Sequence, residues 1–519
     1  MAGMASIASN SARLFLLTCL VSTLTWGGDW KFASGIGLSE RYSDNVALAT
    51  TGLEETDWIT EITPRISAKR DGGRIKANVD YSLQGLLYAN DSVSNRINHN
   101  LNSQIKAELV KEWFYLDATA RMSQALKSLT GGIGAGDGVG AGNTTSVGSY
   151  TISPSLKRRL GSLATVEAKI SRNGVFIGDS SISDTSSTIY QLSAVSGNDF
   201  YPFSWSANYN KTNTSNSGAA DSGSERASVN ARYQLGKKFG LLANASIEKN
   251  DFTGVSATAR DYSSYGVGAF YTPSRRISMD ALYNHSAGGN FVSGSVSLNP
   301  TLRTSVKATT SKRAFGRSHT LNLSHRTRKS NWSLTYQNDL TTSQQQFANF
   351  YGNVFVYTCP GGKEYLPTGV QPSDPVNCSL DGVSSLFSQT QVNETYIAKN
   401  LVGTVSYTLR RSTWQLSMFD NQRQLQTNGG SDKTRGLQAS WSLKPAAHTT
   451  FTLTGGMTQV EASTATLQDD LWNIGLVATH QFKPKISGSV EARHQERKSN
   501  QPTGDFSENS VAARLNMSF

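Results

Sequence analysis

The chain ends in Ser510-Val511-Ala512-Ala513-Arg514-Leu515-Asn516-Met517-Ser518-Phe519, and this stretch decides the fold. Its apolar side chains fall on every second position, from Val511 to Phe519. A period of two is typical of a β-strand, whose successive side chains point to opposite faces. Because an open apolar sheet edge invites aggregation, we expect this strand to close onto the first strand of a barrel. An ordinary terminal strand of a soluble sheet is the alternative.

The N-terminal residues have the pattern of a secretory signal peptide. Arg13 precedes an apolar run from Leu14 to Leu24, and Thr25-Trp26-Gly27 offers a cleavage site before Asp29. The run is too short to span a bilayer as a helix. We therefore expect residues 1–28 to be a signal peptide and residues 29–519 to form a single barrel domain. Cys19 follows Thr18, where a lipoprotein signal has a smaller residue, so no lipid anchor is expected.

The composition suits a wide barrel better than a soluble globule. Only 37% of the 519 residues are hydrophobic, and the mean hydropathy is −0.38. In a barrel, half of each strand faces lipid and the other half faces a wet lumen, which explains the low apolar content. The net charge of +11 is scattered over many turns. A nucleic-acid partner is therefore not expected.

Alternating stretches recur along the whole chain. Asp71-Gly72-Gly73 is a strong hairpin signal, and the strand after it alternates from Ile75 to Leu87. Repeating this unit predicts an all-β fold, a transmembrane antiparallel β-barrel of roughly 24 strands, with 22–26 as the range. No plug domain is expected, since the first strand directly follows the signal peptide. Such a barrel belongs in the outer membrane of a Gram-negative bacterium, with short periplasmic turns and long extracellular loops.

Polar residues on the other face of each strand are predicted to line the lumen. Those we single out are Lys76, Asp80, Arg232, Arg493 and Arg514. A barrel this wide has an interior that side chains cannot fill. The predicted lumen is therefore polar and wet.

The two ends of the predicted barrel differ in charge. The short turns carry basic pairs such as Arg158-Arg159, Lys237-Lys238 and Arg410-Arg411, whereas acidic residues, among them Asp44, Asp432 and Asp469, fall in the predicted long loops. Solvation of exposed faces is one explanation. The functional alternative is a field that favours a negatively charged polymer at the inner mouth.

No pattern in the sequence predicts an enzyme, a cofactor or a metal site. The glycine-rich run around Gly136–Ala141 lacks the following helix that a dinucleotide site requires. His319 and His325 are six strand residues apart, about 20 Å, too far to share one metal ion. They suit the interfacial positions of a membrane barrel.

The stretch from about 340 to 390 is predicted to be a long extracellular loop. It holds Cys359 and Cys378, the only cysteines after the signal peptide, which are expected to form a disulfide in an oxidising compartment. Closing about twenty residues would stabilise the loop by roughly 3 kcal/mol. Two alternatives are left for this loop: a compact, disulfide-linked loop that narrows the pore, or a disulfide-linked loop that projects outward.

Several stretches resemble one known family. They are Glu40–Val46, Phe315-Gly316 with His319–Arg328 and Trp332–Tyr336, and Asn393–Ile397 with Arg410-Arg411. Together with Phe519 they resemble the PEP-CTERM system-associated outer-membrane barrel family, which accompanies exopolysaccharide systems. The resemblance assigns no catalytic residue. His319 stands where the family pattern has a tyrosine.

The resemblance implies a non-enzymatic barrel in exopolysaccharide export or surface assembly. A conduit is the first hypothesis, a general diffusion porin the second and a structural or adhesive surface barrel the third. The implied partners are outer-membrane lipid, the barrel-assembly machinery, polysaccharide and export-system proteins. A terminal aromatic residue also resembles the insertion signal of outer-membrane barrels, so Phe519, Met517 and Leu515 are expected to serve as the assembly signal.

Overall fold

A computed structural model describes most of the chain after residue 29. The described residues are 30–91, 94–126, 138–178, 184–216, 221–251, 261–342, 353–359, 362–367, 379–385, 395–426, 429–462, 466–501 and 504–519. The predicted signal peptide therefore lies outside the described residues, as does Cys378.

The described residues form β-strands joined by turns, loops and two short 3₁₀ turns at Ala141–Asn143 and Asn198–Phe200. The strands are β1 (Trp30–Ser43), β2 (Asp57–Asp71), β3 (Ile75–Tyr88), β4 (Arg96–Val110), β5 (Phe114–Leu126), β6 (Thr144–Leu160), β7 (Ala164–Ile177), β8 (Thr185–Ser196), β9 (Phe203–Asn216), β10 (Ser222–Gln234), β11 (Phe239–Asp251), β12 (Asp261–Ser274), β13 (Ile277–Ser286), β14 (Phe291–Thr301), β15 (Thr304–Arg313), β16 (Gly316–Arg326), β17 (Ser330–Thr342), β18 (Asn353–Cys359), β19 (Gly362–Pro367), β20 (Ser379–Ser385), β21 (Thr395–Thr408), β22 (Ser412–Leu425), β23 (Ser431–Ala446), β24 (Thr449–Ala462), β25 (Leu467–Lys483), β26 (Ile486–Ser499) and β27 (Phe506–Ser518). No helix in these ranges is long and apolar enough to cross a membrane.

The main sheet is a closed antiparallel barrel of 24 strands. Each strand pairs with its neighbours in the chain, and β1 closes the circle by pairing with β27 from Gly35↔Ser518 to Ser43↔Ser510. The predicted fold class and strand number are confirmed. The other three strands form a separate sheet in the order β19-β18-β20, inserted between β17 and β21.

The strand alternation gives the barrel an apolar face and a polar face. Leu38 pairs with Ile62 and Leu515, and all three belong to the apolar face, together with exposed residues such as Leu437 and Val511. Directly paired residues point to the same side of a sheet, so the register carries this assignment around the whole barrel. Rings at the strand ends belong to the apolar face too, for example the stacked pair Trp414–Trp441.

The polar face is the inner one. Arg313 on β15 contacts Glu248 on β11 at 3.2 Å, although three strands separate them in the sheet. Two side chains can meet over that span only across the concave side of the wall. Most of the short hairpin turns lie at the end of the barrel where β1 begins, here named the short-turn end, although the two-residue turn between β15 and β16 lies at the other end. The opposite end is the long-loop end.

The register makes a direct prediction about insertion. Leu437→Arg places a charge on the apolar face near the middle of β23, whereas Gln438→Arg places it on the polar face next door. A lipid-facing arginine at the bilayer midplane costs about 2–4 kcal/mol. We expect Leu437→Arg to abolish most heat-modifiable, membrane-embedded protein and Gln438→Arg to retain it. Equal tolerance of the two changes on a semi-native gel would contradict the assigned faces.

Candidate functional site

The inner wall of the barrel is the candidate functional site. The register places Lys76, Asp80, Arg232, Arg493 and Arg514 on the polar face. They do not converge on one point. Lys76 lies near the short-turn end, where it is 3.6 Å from Asp71, and Arg232 stacks over the Phe270 ring at 4.3 Å. Asp80 accepts a hydrogen bond of 2.7 Å from Asn78.

Arg514 and Arg493 belong to a buried network along the β1–β27 junction, here named the seam. Arg514 contacts Glu61 of β2 at 3.1 Å, and Gln84 of β3 donates to the same carboxylate at 3.2 Å. Arg493 is 3.6 Å from Glu508, which is completely buried. Because these side chains are largely or completely buried, their charges require partners within reach.

The stretch Arg41–Val46 holds the seam from the β1 side. Arg41 donates to Ser510 at 3.0 Å and contacts Glu491 of β26 at 3.4 Å, while Ser43 donates to Glu508 at 2.9 Å. Beyond the last paired residue, the Asp44 carboxylate accepts hydrogen bonds from the backbone N–H and the side-chain amide of Asn509.

Asn45 completes this stretch. Its side-chain amide donates to the carbonyls of Ala49 at 2.8 Å and Ser507 at 3.0 Å, and its side-chain oxygen accepts from the Ala49 N–H. It thereby folds the β1–β2 loop back over the last strand. Sequence reasoning singled out Glu40–Val46 only as a family-like motif and missed this role. The sequence feature that could have indicated this role is the run of short polar residues Ser43-Asp44-Asn45 directly after the alternating strand.

Two loops fold onto the inner wall at the long-loop end. Val46 and Leu48 of the β1–β2 loop and Val139 of the β5–β6 loop pack against side chains of the polar face. The cluster, named the inner cluster, consists of Val46, Leu48, Ile59, Leu86, Tyr88, Val139 and Phe506. Full burial of such side chains stabilises by roughly 1.5–3 kcal/mol each.

Hydrogen bonds fix the two loops to each other and to the wall. The Tyr88 hydroxyl donates to the Gly138 carbonyl at 2.6 Å, and the Gly140 N–H donates to the Val46 carbonyl at 2.8 Å. Gly138 has φ +97°, and a Cβ there would lie 3.2 Å from the Tyr88 hydroxyl. This part of the lumen is therefore packed, whereas the sequence predicted a wet interior. The break in the alternation at Leu86-Leu87 was the sequence feature that could have indicated this packing.

The inserted sheet also reaches across the barrel. Its strands enter between β17 and β21, yet Cα atoms of β20 lie within 8 Å of β3, β4 and β5, and those of β19 within 8 Å of β24. β24 lies three strands from β21, whereas β3, β4 and β5 lie beyond the seam, far around the wall from the insertion point. The backbone of the insert therefore spans the barrel from one side to the other.

The cysteine pair remains a prediction. Thr358 of β18 pairs with Ser379 of β20. Cys359 follows Thr358 in the chain and Cys378 precedes Ser379. Because Cys378 lies outside the described residues, the structure does not test the disulfide.

Two acidic residues predicted in long loops have other positions. Asp432 lies in β23 and Asp469 in β25, both buried on the polar face. Asp469 is 2.6 Å from Arg497, and Asp432 is 3.3 Å from Arg423. Their carboxylates thus neutralise arginines of the inner wall. The sequence did not show this, since the ends of β23 and β25 extend beyond the apolar band and have the polar composition of loops.

The predicted assembly residues lie at the short-turn end. Leu515 and Met517 belong to the apolar face, paired with Leu38 and Ile36 of β1. The Phe519 N–H donates to the Ser34 carbonyl at 2.8 Å, and its ring is exposed. Within the described ranges, no three His, Cys, Asp or Glu side chains are grouped so that they could hold a metal ion.

Comparison with known proteins adds no family. No protein-family model matches the chain, and no curated protein sequence does so either. The siderophore receptor PirA from Pseudomonas aeruginosa is 10% identical over 95% of this chain and 82% of its own, with a TM-score of 0.39. The FrpB iron transporter from Neisseria meningitidis is 9% identical over 94% and 82%, with a TM-score of 0.44. OpdK from Pseudomonas aeruginosa, solved with vanillate, is 9% identical over 94% and 99%, with a TM-score of 0.28. Likenesses at this level bring neither a ligand nor a transport direction to this chain.

The buried seam makes a prediction about stability. Glu508→Ala removes the carboxylate that faces both Ser43 and Arg493, and deleting one member of a buried ion pair costs about 3–5 kcal/mol. We expect a clear fall in the temperature at which the folded band is lost. Glu461→Ala, in an exposed pair with Arg435, is the control and should cost at most about 1 kcal/mol. Similar losses for both variants would exclude a special role of the seam.

The inner cluster makes a prediction about conductance. Gly138→Val should displace the β5–β6 loop, because the added side chain meets Tyr88 and Ile59. We expect a larger single-channel conductance from a barrel that still folds. Gly52→Val is the matched control, since Gly52 also has a positive φ, +90°, but open space around it. If both variants conduct like the wild type, the inner cluster does not limit the pore.

Proposed function

We propose that this chain is an outer-membrane β-barrel that serves, without catalysis, as a conduit in exopolysaccharide export or surface assembly. The observation that carries the proposal is the hydrophilic inner face of a closed 24-strand barrel whose outer face is apolar. Most barrel strands have 13–17 residues, more than the 9–11 or so that a tilted strand needs to cross a membrane. The polysaccharide assignment rests on the family resemblance.

The packing at the long-loop end supports a conduit that is closed at rest. The inner cluster fills one sector of the interior, and the inserted sheet crosses it. A general diffusion porin, the second candidate, needs a path that stays open to small solutes. The polar inner face favours that candidate as well, so conductance is the property that separates them.

The partners follow from the two faces. The apolar face contacts outer-membrane lipid, with the short turns in the periplasm and the long loops outside the cell. Phe519, with Met517 and Leu515 behind it, is available to the barrel-assembly machinery at the short-turn end. Polysaccharide and export-system proteins are the proposed functional partners, and no nucleic acid is among them.

The proposal predicts two separable results. Purified protein in planar bilayers should conduct ions weakly and in brief openings, and liposomes containing it should swell slowly in small sugars. A strain without the gene should lose surface polysaccharide, and the wild-type gene should restore it. Strong constant conductance with unchanged surface polysaccharide would instead make the chain a diffusion porin. Unchanged polysaccharide together with altered attachment would make it a surface barrel.

A further inference from the structure

We infer that the polymer taken by this conduit is an acidic polysaccharide, which enters at the short-turn end. This inference rests on the proposed function and adds the chemical class of the substrate. It comes from two features of the inner wall, a collar of basic side chains and a wall of uncharged polar side chains beyond it.

Exposed lysines and arginines lie on the polar face at the short-turn end, on six of the barrel strands. The basic collar consists of Lys31, Lys76, Lys106, Arg159, Arg326 and Lys444, each in the last residues of its strand at this end. Every hairpin turn at this end except that between β8 and β9 also carries an exposed basic residue on or next to it. Several of these turns hold two adjacent ones, as in Lys237-Lys238 and Arg410-Arg411.

Acidic groups offset part of the collar. On the polar face near this end, Asp71 is paired with Lys76, and Asp117 lies opposite Lys106 with Glu108 two residues further along β4. Glu167 of β7 is 3.7 Å from Lys157, one strand from Arg159, and Asp280 of β13 accepts a hydrogen bond from Ser295. Arg326 and Lys444 lie on β16 and β23, away from these groups. A net positive charge at the mouth of a low-dielectric wall concentrates counter-ions and raises the capture rate of anions.

Beyond the collar, the wall from β16 to β24 presents hydroxyl and amide groups. In one row around the barrel, Ser333 pairs with Thr404, Thr404 with Ser417, and Ser417 with Gln438. The next row runs from Ser406 through Gln415 and Ser440 to Thr454. Between the collar and the ion pairs at the long-loop end, these strands present no charged side chain on the polar face within the described residues.

The two features fit an acidic glycan better than a docked protein. Hydroxyl and amide groups both donate and accept hydrogen bonds, so a sugar chain can exchange water for wall contacts at each step. The collar side chains belong to the inner face of the wall, where a threaded chain passes. A folded acidic protein would rest on the turns and leave the hydroxyl rows untouched.

The test is block of single-channel current by soluble polymers in planar bilayers. We expect polygalacturonate to block from one chamber only, and more tightly than neutral dextran of equal size. The block should weaken between 0.1 and 1 M salt, because the Debye length falls from about 10 to 3 Å. The collar variant Arg159→Glu, Arg326→Glu, Lys444→Glu should weaken the block by about tenfold at low salt, as the charge reversal opposes steering.

The control is Lys249→Glu, Arg435→Glu, Lys498→Glu, which makes the same charge change with exposed residues on the outer side of the wall at the long-loop end. Polygalacturonate should block the current through this variant as tightly as it blocks the wild type. Equal effects of the two triple variants would overturn the collar, as would equal block by a folded acidic protein too large to enter. If neutral dextran blocks and polygalacturonate does not, the conduit stands but the substrate is not acidic. If neither polymer blocks a barrel with measurable current, the proposed conduit itself fails.

Discussion

The backbone hydrogen bonds between β1 and β27 are the constraint on which the rest of the structure depends. Each unpaired backbone group facing hydrocarbon would cost several kcal/mol, so an antiparallel sheet in a membrane must close on itself. Closure requires an even number of strands and a register that keeps one apolar face outside. Every side chain on the opposite face is then committed to the interior, whatever its chemistry. The ion pairs, the inner cluster and the basic collar all result from this placement of one face of every strand toward the interior.

Polar groups of the inner wall are satisfied in two ways. On β16 to β24, hydroxyl and amide groups lie side by side in rows across the strands, where neighbouring groups can bond to each other, as Ser333 and Thr404 do. Near the seam and the long-loop end, charges such as Arg497 and Asp469 are buried and are paired at short distance. Burial here follows from loops folding inward and not from the size of the barrel.

The fold was predictable because it depends on local pattern. Alternation in a stretch such as Ile75 to Leu87 assigns both faces of a strand from the sequence, and turn residues mark its ends. The candidate site depended on contacts that no local pattern shows. Arg514 was recognised as an inner residue, but its partner Glu61 lies at the other end of the chain. Val46, Leu48 and Val139 gave no signal, because three apolar residues in two loops have no period.

The seam also dictates the order of events in folding. Arg41 and Ser510 are in contact although 469 residues separate them in the sequence, which is most of the length of the chain. The first described strand must therefore wait, with one edge unpaired, until the last strand of the polypeptide is available. During that wait, Arg41, Ser43 and Asp44 lack the partners that β27 supplies. Before closure, the first and last segments therefore carry unpaired polar groups that need protection from other molecules until they meet.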